Sequence, residues 1–217
     1  MRDNKTRAAK ILRTLYTNAN CDSAGAIRKY QGTSLPGFGI MLPRLIEIAA
    51  EFEHSNDLCF ELIKKNTREA KIIALLVSLP LDLTASQIKS IEEKASTEEL
   101  RNYMARFILA PIITAQRIQE LQEAVSVSLL SKGIVQAYRK DKTMPPFKVC
   151  CNVLKQHIKK SCSPISDAQH LAEAIYAFYT EKADQFKAWL ASIPQEQSPL
   201  ADTINQWIRD FSYQDSR

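Results

Sequence analysis

Hydrophobic residues recur at helical spacing along nearly the whole chain. In "STEELRNYMARF", Ser96 to Phe107, the residues Leu100, Tyr103, Met104 and Phe107 fall on one stripe at about 100° per residue, with Glu99, Asn102 and Arg106 together opposite it. Two late segments repeat the same i, i+3, i+4, i+7 spacing, with Phe186, Trp189, Leu190 and Ile193 in one and Ile204, Trp207, Ile208 and Phe211 in the other. The segment "REAKIIALLVSL", Arg68 to Leu79, is apolar around most of its circumference and interrupted only by Arg68, Glu69, Lys71 and Ser78. Such a helix is expected to be sandwiched between neighbours. No alternating run bounded by turn residues predicts a strand, so the expected class is all-α.

Helix boundaries are marked as well. Thr84-x-x-Gln87, Ser96-x-x-Glu99 and Ser166-x-x-Gln169 have the form of capping boxes, and Ser198-Pro199 sets a proline at a first helical position. Pro43, Pro80, Pro111, Pro145, Pro146, Pro164 and Pro194 interrupt the pattern and leave segments of roughly 10 to 17 residues, which predicts about a dozen short helices. Short helices with one-sided stripes and brief connections are the pattern of stacked helix pairs, an α-solenoid, whereas a four-helix bundle needs fewer and longer helices. With five Gly and nine Pro and no low-complexity tract, residues 1–217 are expected to form one continuous domain.

Composition narrows the chemistry. The chain is 45% apolar and 24% charged, an ordinary globular balance. Its longest apolar run, Ile72 to Leu79, ends at Pro80, well short of the roughly 20 residues of a bilayer span. The amino end lacks the apolar stretch of a secretory signal, so the expected compartment is cytoplasmic with no membrane partner. Cys21, Cys59, Cys150, Cys151 and Cys162 form no C-x-x-C pair, and neighbouring Cys150 and Cys151 are expected as reduced thiols facing a core. His54, His157 and His170 have no ligand spacing; His157 is expected on a solvated face, and neither a metal site nor a cofactor is implied.

Charge is unevenly spread. From Lys132 to Lys160 eight cations (Lys132, Arg139, Lys140, Lys142, Lys148, Lys155, Lys159, Lys160) meet Asp141 alone, a net of +7, so the rest of a chain whose total is +5 sums to −2. On a helix starting after Pro146, Lys148, Lys155 and Lys159 lie within roughly 20° of one line, beside an apolar face of Phe147, Cys151, Leu154 and Ile158. A smaller set, Arg2, Lys5, Arg7, Lys10 and Arg13, faces only Asp3. A basic stripe on a helical array is the electrostatic footprint of phosphate-backbone binding, although lysine-rich faces also serve solubility. Tyr138, Tyr176 and Tyr179 are aromatic candidates for base stacking and equally for plain packing.

"GFGIMLPRLIEIAAEF", Gly37 to Phe52, followed by "DLCFELIKKNTREAKIIALLVS", Asp57 to Ser78, resembles the DNA alkylation repair enzyme family, the alkylpurine DNA glycosylases of HEAT-like helical repeats. The likeness lies in Gly39-x-x-x-Pro43 entering a helix with Leu45 and Ala49, then Arg68, Glu69 and Ala70 leading into Ile72 to Leu76. It implies a right-handed solenoid of HEAT-like helix pairs, an α-α superhelix, that holds duplex DNA, alkylated or not, and needs no cofactor. It further implies hydrolysis of the N-glycosidic bond of alkylated purines, in which a carboxylate stabilises positive charge developing on the sugar. Laid on "STEELRNYMARF", the family's Trp-x-x-x-Asp step puts Glu98 at the Trp and Asn102 at the Asp, and both depart from the pattern. Asparagine keeps the shape without the charge. Glu99 is the nearest carboxylate to take that role, and as a cap residue it is expected to be occupied at the helix N-terminus. Between Arg117 and Arg139 the one cation is Lys132, so the family's Arg has no match there, and its second aromatic wall falls near Tyr176.

These residues predict a DNA-binding helical-repeat protein whose glycosylase chemistry is in question, with Arg106, Lys132, Arg139, Lys140, Lys148, Lys155 and Lys159 on the DNA. The alternatives are an active, divergent glycosylase using Glu99, and a scaffold whose partner is a protein.

Overall fold

A computed structural model describes residues 2–31, 35–141, 145–160, 165–194 and 199–214. Among these the chain is all-α, with helices and short turns of helix and no strand. None of the described helices is long and apolar enough to cross a membrane. The chain divides into two compact units, Met1–Ile112 and Ile113–Arg217, described separately below.

The first unit contains α1 (Arg2–Thr17), α2 (Cys21–Gln31), α3 (Leu42–Ala50), α4 (Asn56–Ile63), α5 (Arg68–Leu76), α6 (Ala85–Lys94) and α7 (Glu98–Met104). Its centre is α5, packed against α1, α3, α4 and α7, which is the sandwiched position its all-round apolar sequence requires. Even the interruptions are inside: Arg68, Glu69 and Lys71 are all buried. The Lys71 ammonium donates to the carbonyl of Lys94 at 2.6 Å, occupying an acceptor left open at the end of α6. Thr84 and Gln87 form the expected capping box at α6.

At α7 the boundary differs from expectation. The N-cap is Thr97, whose hydroxyl accepts the Leu100 N–H at 3.2 Å, and Ser96 with Glu99 forms no capping box because Glu99 is drawn to Arg68 instead. After Met104 the helix widens into a π turn, Ala105–Leu109, and then a 3-10 turn, Ala110–Ile112. Pro111, which has no N–H to continue the ladder, lies in that last turn. Leu100 and Met104 are buried and Tyr103 and Phe107 half-buried, so the apolar stripe is as the spacing predicts.

The second unit contains α8 (Ala115–Ala124), α9 (Val127–Asp141), α10 (Phe147–Lys159), α11 (Ile165–Phe178), α12 (Ala183–Ala191) and α13 (Pro199–Gln214). Helices α9, α10 and α11 pack on one another, α8 lies on α9 and α10, and α12 and α13 lie on α11. Leu130, Ile134, Leu154, Leu171, Ile175, Phe186 and Ile204 are fully buried between them. Pro199 opens α13 as expected, while Ser166 lies inside α11 rather than ahead of it. Cys162 and Lys142 fall outside the described residues.

Candidate functional site

The helix carrying Glu98, Glu99, Asn102 and Arg106 sits beside a buried ionic network. Arg68 grips Glu99 bidentately, Nε donating at 2.8 Å and Nη2 at 2.6 Å. Its Nη1 donates to the carbonyl of Ile40 and to Glu69 Oε1, both at 3.1 Å. Glu69, with no exposed surface, also accepts the backbone N–H groups of Phe38 at 2.9 Å, Gly39 at 3.0 Å and Ile40 at 3.4 Å.

The loop before α3 is thus anchored from within α5. Gly39 has φ of 73°, and a Cβ there would collide with the carbonyl of Asn20 and come within 2.5 Å of the Ala24 nitrogen, so only glycine fits between the loop and the start of α2. The "GFGI" and "REA" segments that carry the family resemblance are joined through this network.

For chemistry the consequence is direct. A carboxylate with both oxygens on a buried guanidinium has its charge compensated in the ground state and is held away from a developing cation. Asn102 and Arg106 are exposed, with the Arg106 guanidinium 5.2 Å from the Phe107 ring centre. Glu98 is exposed at the first turn. Tyr176 lies on α11 in the second unit, half-buried, with Lys187 Nζ 5.6 Å from its ring. The residues that the resemblance assigned to glycosidic hydrolysis, Glu98, Glu99 and Asn102 on one side and Tyr176 on the other, therefore divide between the two units, and Glu99, the carboxylate expected to take the Asp role, is engaged by Arg68.

The basic segment is built differently. On α10, Phe147 and Val149 are half-buried, and Cys150, Cys151, Val153, Leu154, His157 and Ile158 are buried. Lys148, Asn152, Lys155, Gln156 and Lys159 are exposed on the other side. Lys148, Lys155 and Lys159 follow the helical repeat, so they stand in a row along one line of the surface. Arg139 and Lys140 are exposed at the end of α9. Among the described residues no ion pair engages any of these five cations.

Lys132 does not join them. It is 13% exposed and pairs with Asp167 Oδ1 at 3.3 Å, because its place on α9 faces α11 rather than solvent. His157 is likewise a correction: instead of a solvated face it has no exposed surface, and desolvation, with Lys132 and Lys160 adding to it against Asp167, lowers its pKa.

Around these two residues is a polar cluster that the sequence did not suggest. Ser128 donates to Asp167 Oδ2, and Ser131 donates to the Val127 carbonyl at 2.8 Å. Since a hydroxyl has one proton, the 3.0 Å contact of Ser131 Oγ with His157 Nδ1 is one in which the imidazole donates. Its Nε2 is then a bare acceptor, and it is buried with no partner. Ser128, Ser131 and Lys132 are spaced i, i+3, i+4 within the apolar pattern of α9, the one sign of this cluster in the sequence. It is not a hydrolytic triad, because Asp167 holds Ser128 and Lys132 while His157 holds a different serine.

Neighbouring thiols give no nucleophile. Burial pushes Cys150 up to about 11 and Cys151 to about 12, so both are protonated at neutral pH. Among the described residues no group of His, Cys, Asp and Glu side chains has the arrangement of a metal site. No family model, curated protein or solved structure matches the chain.

Proposed function

We propose that this chain binds the phosphate backbone of nucleic acid, duplex DNA in the first instance, through the cations of α9 and α10, and does not hydrolyse glycosidic bonds. The observation that carries this reading is the row of Lys148, Lys155 and Lys159, exposed along one face of α10 and, with Arg139 and Lys140, lacking acidic partners among the described residues. Unneutralised cations in a row release counterions when they meet phosphates, the main source of sequence-independent affinity. The commitment of Glu99 to Arg68 and the neutral Asn102 favour binding without base release.

In architecture the reading is one of stacked helix pairs within each unit. Helices contact their successors, as α4 does α5 and α10 does α11, and also the second helix along, as α3 does α5, α5 does α7, α9 does α11 and α11 does α13. Contacts at one and two steps are what stacked pairs produce, and in the second unit they support the HEAT-like reading that the resemblance to the alkylation repair family suggests, whereas in the first unit α1 packs on α4 and α5.

The test is fluorescence anisotropy with a labelled duplex, undamaged and containing 7-methylguanine, over a salt series, with released base assayed in the same mixtures. Five engaged cations give a log–log salt slope of about −4.5 at most, and engagement of the three lysines of α10 alone gives about −2.7. Equal affinity for the two duplexes with no released base is expected. Release of base overturns the non-hydrolytic part, and no binding at low salt overturns the reading and leaves a protein partner.

A further inference from the structure

Helix α1 carries a second basic set, on the first unit. Its inner face, Ala8, Ile11 and Leu15, is buried where the helix packs on α4 and α5. Arg7 is half-buried at one flank, donates to the Glu53 carbonyl at 2.7 Å and pairs with the Glu53 carboxylate at 3.5 Å. Lys5, Lys10 and Arg13 are exposed on the outer side, together with Ala9 and Tyr16. Counted around the helix from Lys5, Tyr16 falls at about 20°, Ala9 at about 40°, Arg13 at about 80° and Lys10 at about 140°, with Asp3 beyond them at about 160°. No acid of α1 lies within the arc from Lys5 to Lys10, and among the described residues no ion pair engages its three cations. We propose that this outer face of α1 is a second surface for the phosphate backbone of nucleic acid, an inference that rests on the reading of the chain as a nucleic-acid binder.

Charge and packing together restrict the occupant to a polyanion that stays outside the helix. A basic helix bound to an anionic membrane sinks its apolar face into the headgroup boundary. The apolar face of α1 is already committed to α4 and α5, and its outer side offers lysine, arginine and one exposed ring, Tyr16. A nucleic-acid backbone asks for less, since it repeats its charge along its length and is met by cations and hydroxyls at the surface. Lys5 and Arg13 stand about 12 Å apart along the helix axis, a span over which a duplex presents several phosphates. Between them the small side chain of Ala9 leaves room for a bulky backbone to approach. Lysine, arginine and tyrosine are all side chains that contact phosphate oxygens. Lys10 Nζ lies 5.6 Å from the centre of the Phe52 ring, a contact that places the ammonium without neutralising it.

The experiment uses the full chain and a labelled, undamaged duplex, with anisotropy followed over a salt series. Lys148→Glu, Lys155→Glu and Lys159→Glu together remove the α10 row, and this triple variant is expected to keep salt-dependent binding. Adding Lys5→Gln and Arg13→Gln is expected to reduce the magnitude of the remaining slope by about 2. Ala9→Lys in the triple variant is expected to increase it by about 1, a gain that a folding defect does not produce. Vesicles containing phosphatidylserine are the second probe, and Lys5→Gln with Arg13→Gln is expected to leave their binding unchanged. An unchanged duplex slope in both sets of α1 substitutions overturns the α1 surface and leaves α9 and α10 standing, as does loss of all duplex binding in the triple variant. A triple variant that binds as wild type does, and still loses slope with Lys5 and Arg13, supports α1 and overturns the α10 row. Vesicle binding lost with Lys5 and Arg13 while duplex binding persists makes the face a lipid surface and overturns the inference. Absence of salt-dependent duplex binding by the wild-type chain overturns both surfaces.

Discussion

The two units hold charge in opposite ways. In the first, Arg68, Glu69 and Glu99 form a buried network in which every charge has a counter-charge or a set of backbone groups to satisfy it. In the second, Lys148, Lys155 and Lys159 stand on a helix surface with no acid against them among the described residues. The first arrangement fixes a loop; the second leaves a row of exposed cations, the surface proposed above to meet a polyanion. A charged residue thus has its role set by what faces it, and Glu99, the most attractive carboxylate in the sequence, belongs to the first kind.

The sharpest way to break this contrast is Glu69→Ala. It leaves the Arg68 guanidinium less compensated and three backbone N–H groups without their acceptor, and removing one member of a buried ionic set costs about 3–5 kcal/mol. Thermal unfolding followed by circular dichroism should show that loss. A cost under about 1 kcal/mol would mean the network is not what holds the loop.

On the other side, Lys148→Glu combined with Lys155→Glu should leave stability within about 0.5 kcal/mol of wild type, as expected of surface positions. It should also reduce the magnitude of the duplex salt slope by about 2. An unchanged slope in an anisotropy titration would remove α10 from the interface.

A third perturbation concerns His157, which has burial without a counter-charge of its own. Its folded pKa lies below the ordinary value of 6.5, so the unfolded chain takes up the proton more readily. The contribution of the neutral ring is fully present above pH 6.5 and is lost as pH falls through the folded value. His157→Leu removes the orphaned Nε2 and leaves Ser131 its bond to Val127, so melting temperature should fall less steeply on the acid side than in wild type. The smallest expected effect is that of Asn102→Asp. The residue is exposed, so stability should change by less than about 0.5 kcal/mol, and no 7-methylated base should be released, since Glu98 stands at the position the resemblance gives to Trp and no Arg lies between Arg117 and Arg139.

Much of the site was visible one residue type at a time. The row on α10 followed from helical spacing alone, because Phe147, Cys151, Leu154 and Ile158 fix which side of the helix is turned inward. Lys132 was misplaced because membership in a basic segment says nothing about orientation, and its partner Asp167 lies 35 residues along on another helix. The same holds for Glu99 and Arg68, 31 residues apart. A cap at Ser96 and a salt bridge from Glu99 compete for one carboxylate; the guanidinium offers two charge-assisted bonds, and Thr97 is next in line to cap.

By itself the sequence determined the all-α class, the approximate helix boundaries, the burial of α5 and the exposed face of α10. These follow from periodicity, prolines and capping residues, which act within a few positions along the chain. Only the tertiary structure decided which charges are compensated. It paired Arg68 with Glu99 and Lys132 with Asp167, and sealed His157 beside Ser131. Pairing energies depend on separations of a few ångströms between residues distant in sequence, and no local pattern encodes those separations.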